Sequence, residues 1–253
     1  MFVLRRIIIL FIPVIWIIGL ELVRNNHGWL WWTMVVFLLY LILAVFMLGQ
    51  VRLKQSFFQF LIMPVVFSTV SFIFMLFLVD TWAFHFFAIL TGLAIYFLLN
   101  QYFVFVNFPY KYQPYTLESL TFYIGLLLIY FMFSAAFAGQ ILLKLNLWFL
   151  LGLVGPLLGV VLYHFFWIHK INFKKSWLFI VAIIVTLLEL MVSVGYLPTS
   201  YYVNAFILAV AAYIMLGLSR EFIQKALDRK KVISYLSISG LLLLLILTTA
   251  QWG

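Results

Sequence analysis

The stretch "FFQFLIMPVVFSTVSFIFMLFLVDTWAFHFFAILTGLAIYFLL", residues 57–99, decides the fold. Its one formally charged residue is Asp80. A helix rises 1.5 Å per residue, so a single helix over this stretch would run about 65 Å, twice the roughly 30 Å hydrocarbon core of a bilayer. Two membrane-crossing helices joined by a tight turn at Asp80-Thr81 fit the length; one helix does not.

The same pattern extends in both directions. Runs of about 20 mostly apolar residues lie at 6–23, 29–48, 57–79, 82–99, 117–143, 147–167, 177–196, 200–218 and 233–251. They predict an all-α polytopic transmembrane helical bundle of nine spans, with eight as the rival count. Composition agrees. The chain is 68% hydrophobic and 8% charged, with mean hydropathy +1.25. A soluble domain carries about 25% charged residues, so this chain has too few charges to cover a water-facing surface. The first run follows Arg5-Arg6 as a signal peptide would. Its apolar part is too long and no small-residue cleavage site follows, so it is read as a retained helix.

Charge sets the expected threading. With the N-terminus inside, thirteen of the fifteen Lys and Arg fall in inner segments, and only Arg24 and Lys144 fall outside. The positive-inside rule then gives N-in and C-out. In a soluble protein a net charge of +9 would suggest nucleic acid. Here the basic residues sit in short connections between apolar runs, so threading accounts for them and no nucleic-acid partner is expected. The expected partner is the lipid bilayer, with a membrane-protein partner as a second possibility.

The whole chain, 1–253, reads as one integral membrane domain. No connection is long enough to hold a soluble module. No P-loop, dinucleotide-binding, zinc-protease or nucleophile-elbow motif occurs, and no cofactor is expected. The absence of cysteine excludes disulfides and thiolate chemistry. Residues 100–116, "NQYFVFVNFPYKYQPYT", read as an aromatic inner loop lying along the interface, where tyrosine rings meet both lipid and water. Residues 219–232, "SREFIQKALDRKKV", form a basic inner loop. Its Arg229, Lys230 and Lys231 are read as facing anionic lipid headgroups.

Few groups inside the runs are able to do chemistry. Glu189 lies in the seventh run, and the break "GYLPTS" turns the chain back into the eighth. Folding that hairpin brings Asn204 almost level with Glu189, with Tyr201 and Tyr202 just above. An ionisable group at membrane depth is expensive and usually faces protein or a cavity. Glu189, Asn204, Tyr201 and Tyr202 are therefore the candidate ligand or proton site. Against this stands a structural role, in which Glu189 and Asn204 join two helices by a hydrogen bond. Glu21, Asp80, His85 and Gln140 occupy the same outer half as secondary polar candidates, and His85 is within reach of either Asp80 or Glu21. Nothing in their spacing builds a metal site, and none is expected. Small residues at 134, 135, 136, 138 and 139 and at 152, 155 and 159 predict close approach of the fifth and sixth helices, or a groove for an acyl chain.

The segments "LPTSYYVNAFILAVAAYIMLGLSREFI", Leu197–Ile223, and "LILTTAQW", Leu245–Trp252, resemble a family of uncharacterised polytopic membrane proteins from candidate-phyla bacteria. The resemblance implies a bacterial cytoplasmic membrane and no particular activity. Three function classes follow. The first is a carrier or lipid-handling protein with a polar site in the outer half. The second is a non-catalytic subunit or scaffold for another membrane protein. The third is an intramembrane enzyme, ranked last because no nucleophile–base pair is visible.

Overall fold

The computed structural model describes residues 2–48 and 57–250, with side chains from Arg6 onward. Arg52 and Lys54 of the expected inner charge, and the ending Gln251-Trp252, lie outside the described residues. Among the described residues there are nine α-helices, all long and apolar enough to cross a membrane. The chain divides into two compact units, Met1–Ile124 and Gly125–Gly253.

The first unit holds α1 (Phe2–Asn25), α2 (Leu30–Leu48), α3 (Phe57–Met75) and α4 (Thr81–Asn107), with α1 packed on α2 and α4, and α3 on α2 and α4. The stretch quoted at the outset forms two helices. Residues 76–78 close α3 with tighter i→i−3 bonds, and the Asp80 carboxylate then accepts the Trp82 N–H at 2.8 Å to cap α4. Trp16 knots the four helices together. Its indole N–H donates to Thr91 Oγ1 at 2.8 Å, and its ring lies 4.6 Å from Phe37 and 6.3 Å from Phe72. Gly92 permits this approach, since a Cβ there would fall 3.2 Å from the Trp16 ring and 3.4 Å from the Pro13 Cα.

Helix α4 continues to Asn107, so residues 100–107 of the aromatic segment are helical. Only 108–115 connect α4 to α5 (Thr116–Leu142). There Tyr112 donates to Glu118 Oε2 at 2.8 Å while its oxygen accepts the Leu117 N–H at 3.2 Å. Burial, reinforced by the Glu118 carboxylate, pushes the Tyr112 hydroxyl up to about 12, so it stays protonated as a donor. Helix α5 passes through the division between the units and is the most buried of the nine.

The second unit adds α6 (Leu147–Ile168), α7 (Phe173–Val194), α8 (Tyr201–Ile223) and α9 (Arg229–Thr249), each packed on the next. Asn146, Asn172 and Ser200 cap α6, α7 and α8. Helices α6 and α8 end on Lys170 and Lys225, both at positive φ, with the paired carbonyl bonds of a left-handed helix stop. Lysine there also complements the negative end of the helix dipole. The glycine face of α6 meets α7 rather than α5: Gly155 looks onto Leu188 and Gly159 onto Ile184. The close approach expected between α5 and α6 is made at Gly139 of α5, where a Cβ would fall 4.0 Å from Leu150 of α6, whereas Gly155 and Gly159 share a helical face that turns to α7.

Candidate functional site

Helix α1 carries Glu21 and Arg24 three residues apart, and α4 carries Thr81 and His85 four apart. Both spacings put a pair on one helical face, and the α1–α4 packing brings the two pairs together. His85 Nδ1 lies 2.9 Å from Glu21 Oε1, Arg24 Nη1 lies 3.5 Å from His85 Nε2, and Arg24 Nη2 donates to Thr81 Oγ1 at 2.6 Å. A guanidinium only donates, so Nε2 must accept from it. The proton is thereby assigned to Nδ1, where it faces the Glu21 carboxylate. Arg24 also lies over the Phe84 ring at 4.8 Å. The pair is partly open, with His85 45% and Glu21 35% exposed. Of the two acids within reach, His85 takes Glu21; Asp80 is occupied as the α4 cap.

On the neighbouring face of α1 lies an apolar cavity of about 260 Å³, walled by Ile18, Gly19, Leu22, Trp29, Trp32 and Val36 among others. Its rim is open to the surroundings, for Trp32 and Val36 are more than half exposed. Gly19 leaves the space, since the nearest atom to a Cβ built there is Thr33 Cβ at 3.9 Å.

In the second unit the hairpin of α7 and α8 forms as expected, but Asn204 does not bond Glu189. The buried Asn204 accepts instead from Thr199 Oγ1 at 2.5 Å, within the turn itself. Glu189 is exposed. The buried positions of α7 are Ser176, Ile180, Ile183, Leu187, Met191 and Val194. Glu189 sits two residues from both Leu187 and Met191, on the opposite face. Matching depths along a hairpin sets height, whereas azimuth follows the apolar stripe. Tyr201 and Tyr202 are together: their hydroxyls bond at 2.7 Å and their ring centroids lie 4.0 Å apart, tilted by 41°. Gln140 is half-buried near the end of α5, in this second unit.

The most connected polar group lies at the other end of the second unit. Glu221 is 7% exposed, on the same stripe of α8 as Val210 and Gly217. Arg220 Nη2 donates to its Oε1 at 2.7 Å and Lys231 Nζ to its Oε2 at 2.5 Å. Arg220 also reaches the Tyr235 hydroxyl at 3.3 Å and His169 Nε2 at 3.4 Å. His169 Nδ1 lies 2.8 Å from the Phe165 carbonyl, so the ring donates there and accepts from Arg220. Sequence reasoning counted Glu221 only as an acid in a basic loop. The signal it passed over is that Glu221 follows Gly217 by four residues on the buried stripe. Of the three residues read as facing headgroups, Arg229 and Lys230 are exposed, whereas Lys231 is tied to Glu221.

Among the described residues no group of three His, Asp or Glu is arranged to hold a metal ion. No protein-family model, curated protein or solved structure matches the chain.

Proposed function

We propose that this integral membrane protein is a lipid-handling protein, with its lipid site in the first unit at the Glu21 end of α1. The observation that carries this reading is the open apolar cavity walled by α1, α2 and Phe72 of α3. Drug-sized ligands occupy clefts upward of about 300 Å³ with several converging polar groups. At about 260 Å³ and with an apolar lining, this cavity suits a segment of one acyl chain entering from the bilayer. The Glu21–His85–Arg24 group offers both signs of charge at the same end of α1, which suits a phospholipid headgroup. On the threading expected from the charge bias, N-in and C-out, this is the outer half of a bacterial cytoplasmic membrane.

The test uses a phospholipid carrying a photoactivatable group on its acyl chain, incorporated with the purified protein into vesicles. Labelling is expected to concentrate on residues 15–36, and Gly19→Leu, which fills the cavity, is expected to reduce it several-fold. A fluorescent-lipid assay in the same vesicles should register faster movement between leaflets with the wild type than with Gly19→Leu. Label spread evenly over every helix, together with identical lipid movement, would sink the proposal.

A second reading, a subunit of a larger membrane assembly, is favoured by Glu189. An outward carboxylate about 8 Å below the end of α7 is costly against lipid, by about 2.5–3.5 kcal/mol at full depth. A covering partner would remove that cost.

A further inference from the structure

We propose that the cavity between α8 and α9 binds the phosphate headgroup of an anionic phospholipid, with Lys230 and Lys231 as its cationic wall. The inference is independent of the lipid site in the first unit. The cavity holds about 320 Å³ and is lined by Tyr213, Glu221, Lys230, Lys231, Ser234 and Tyr235. It is a built feature. A Cβ on Gly217 would fall 2.3 Å from Tyr235 Cε1, so the tyrosine ring lies directly on the α8 backbone. The Tyr213 ring lies 5.2 Å from the Tyr235 ring at a tilt of 52°, and Arg220 holds the Tyr235 hydroxyl.

The charges around the cavity do not balance. Glu221 contributes one negative charge, and both of its oxygens are already taken, by Arg220 and Lys231. Lys230 lines the same cavity and has no acid partner among the described residues. Among the lining residues, Lys230 and Lys231 against Glu221 leave a net charge of +1, and an anion is what completes the group. Lys231 has donated to Glu221 and to the Ala226 carbonyl, which leaves one ammonium hydrogen to point elsewhere. A phosphate accepting from Lys230 and from that remaining hydrogen would make two charge-assisted bonds. The location argues for a lipid. These residues lie at the ends of α8 and α9, helices long enough to cross the bilayer, where headgroups gather. Arg229, adjacent in sequence, does not line the cavity.

The shared chemistry is a phosphate ester, and two sources supply it: a phospholipid, or a free phosphate ester. Native mass spectrometry of the purified full chain separates them, with phosphatidylglycerol, phosphatidylcholine and soluble glycerol phosphate as the three probes. Retention of phosphatidylglycerol above phosphatidylcholine is expected. Lys230→Gln should weaken it roughly five-fold, and Arg229→Gln, which lies outside the cavity, should weaken it distinctly less. Neither variant touches the Glu221 pairs, and an unchanged thermal midpoint verifies that both remain folded. Equal losses from Arg229→Gln and Lys230→Gln would reduce the site to diffuse surface charge and overturn it. So would equal retention of the two lipids, or glycerol phosphate binding as well as the lipid does.

Discussion

Glu21 and Glu221 are both acids near the ends of long apolar helices, one in each unit, and they are satisfied in different ways. Glu21 is about one-third exposed and meets a histidine that is itself almost half exposed. Glu221 is nearly sealed and meets two permanent cations, one on each oxygen. Water supplies at Glu21 what Arg220 and Lys231 must supply at Glu221. The lesson is that the compensation around an acid scales with how much solvent it has lost. The first arrangement is open to the surroundings on both partners. The second is a fixed strut on which a cavity is built.

That contrast is open to direct test. The largest effect is expected from Glu221→Ala, which strands Arg220 and Lys231 together. Breaking a buried pair costs 3–5 kcal/mol, and Lys231 is 46% exposed, so a loss of about 3 kcal/mol is expected in thermal or denaturant unfolding of the detergent-purified protein. A loss below that of Glu21→Gln would break the comparison. Next comes Gly217→Ala. The added methyl would drive Tyr235 off α8, an overpacking change of about 1–3 kcal/mol, and should also loosen the start of α9 to proteolysis. Full stability with an unaltered proteolysis pattern would mean that the tyrosine does not depend on the glycine.

Glu21→Gln should cost only about 0.2–1 kcal/mol, because a half-exposed pair is weak, while lowering the photolabelling of the first unit. The smallest effect on stability belongs to Glu189→Gln. With no bond to Asn204 to lose, its unfolding free energy should stay within about 0.5 kcal/mol of wild type. A clear loss of stability in the isolated chain would restore a structural role for Glu189 within the fold. Unchanged stability with loss of a co-purifying membrane partner would favour the subunit reading.

Read residue by residue, the helices were legible because their signal is local. A run of about 20 apolar residues commits itself to helix in lipid, where every backbone polar group must be paired within the segment. Asp80-Thr81 marked a turn for an equally local reason, an acid able to cap the helix that follows. Even so, α4 ran on through the aromatic residues to Asn107, since nothing stops a helix before Phe108, the residue preceding Pro109. The depth of Glu189 and Asn204 could be counted along the chain, and the hairpin formed. Which way each side chain faced could not be read that way. Glu189 turned outward because Leu187 and Met191 claimed the packed face, and Asn204 found Thr199 closer than the acid. Glu21 meeting His85, and Glu221 meeting Lys231, depended on which helices pack together and at what rotation. The sequence by itself determined that the chain is a bundle of membrane-length helices and roughly where each described helix begins and ends, through hydropathy and caps. Only the tertiary structure decided which polar groups meet, because rotation about a helix axis is set by the summed packing of residues far apart in the chain.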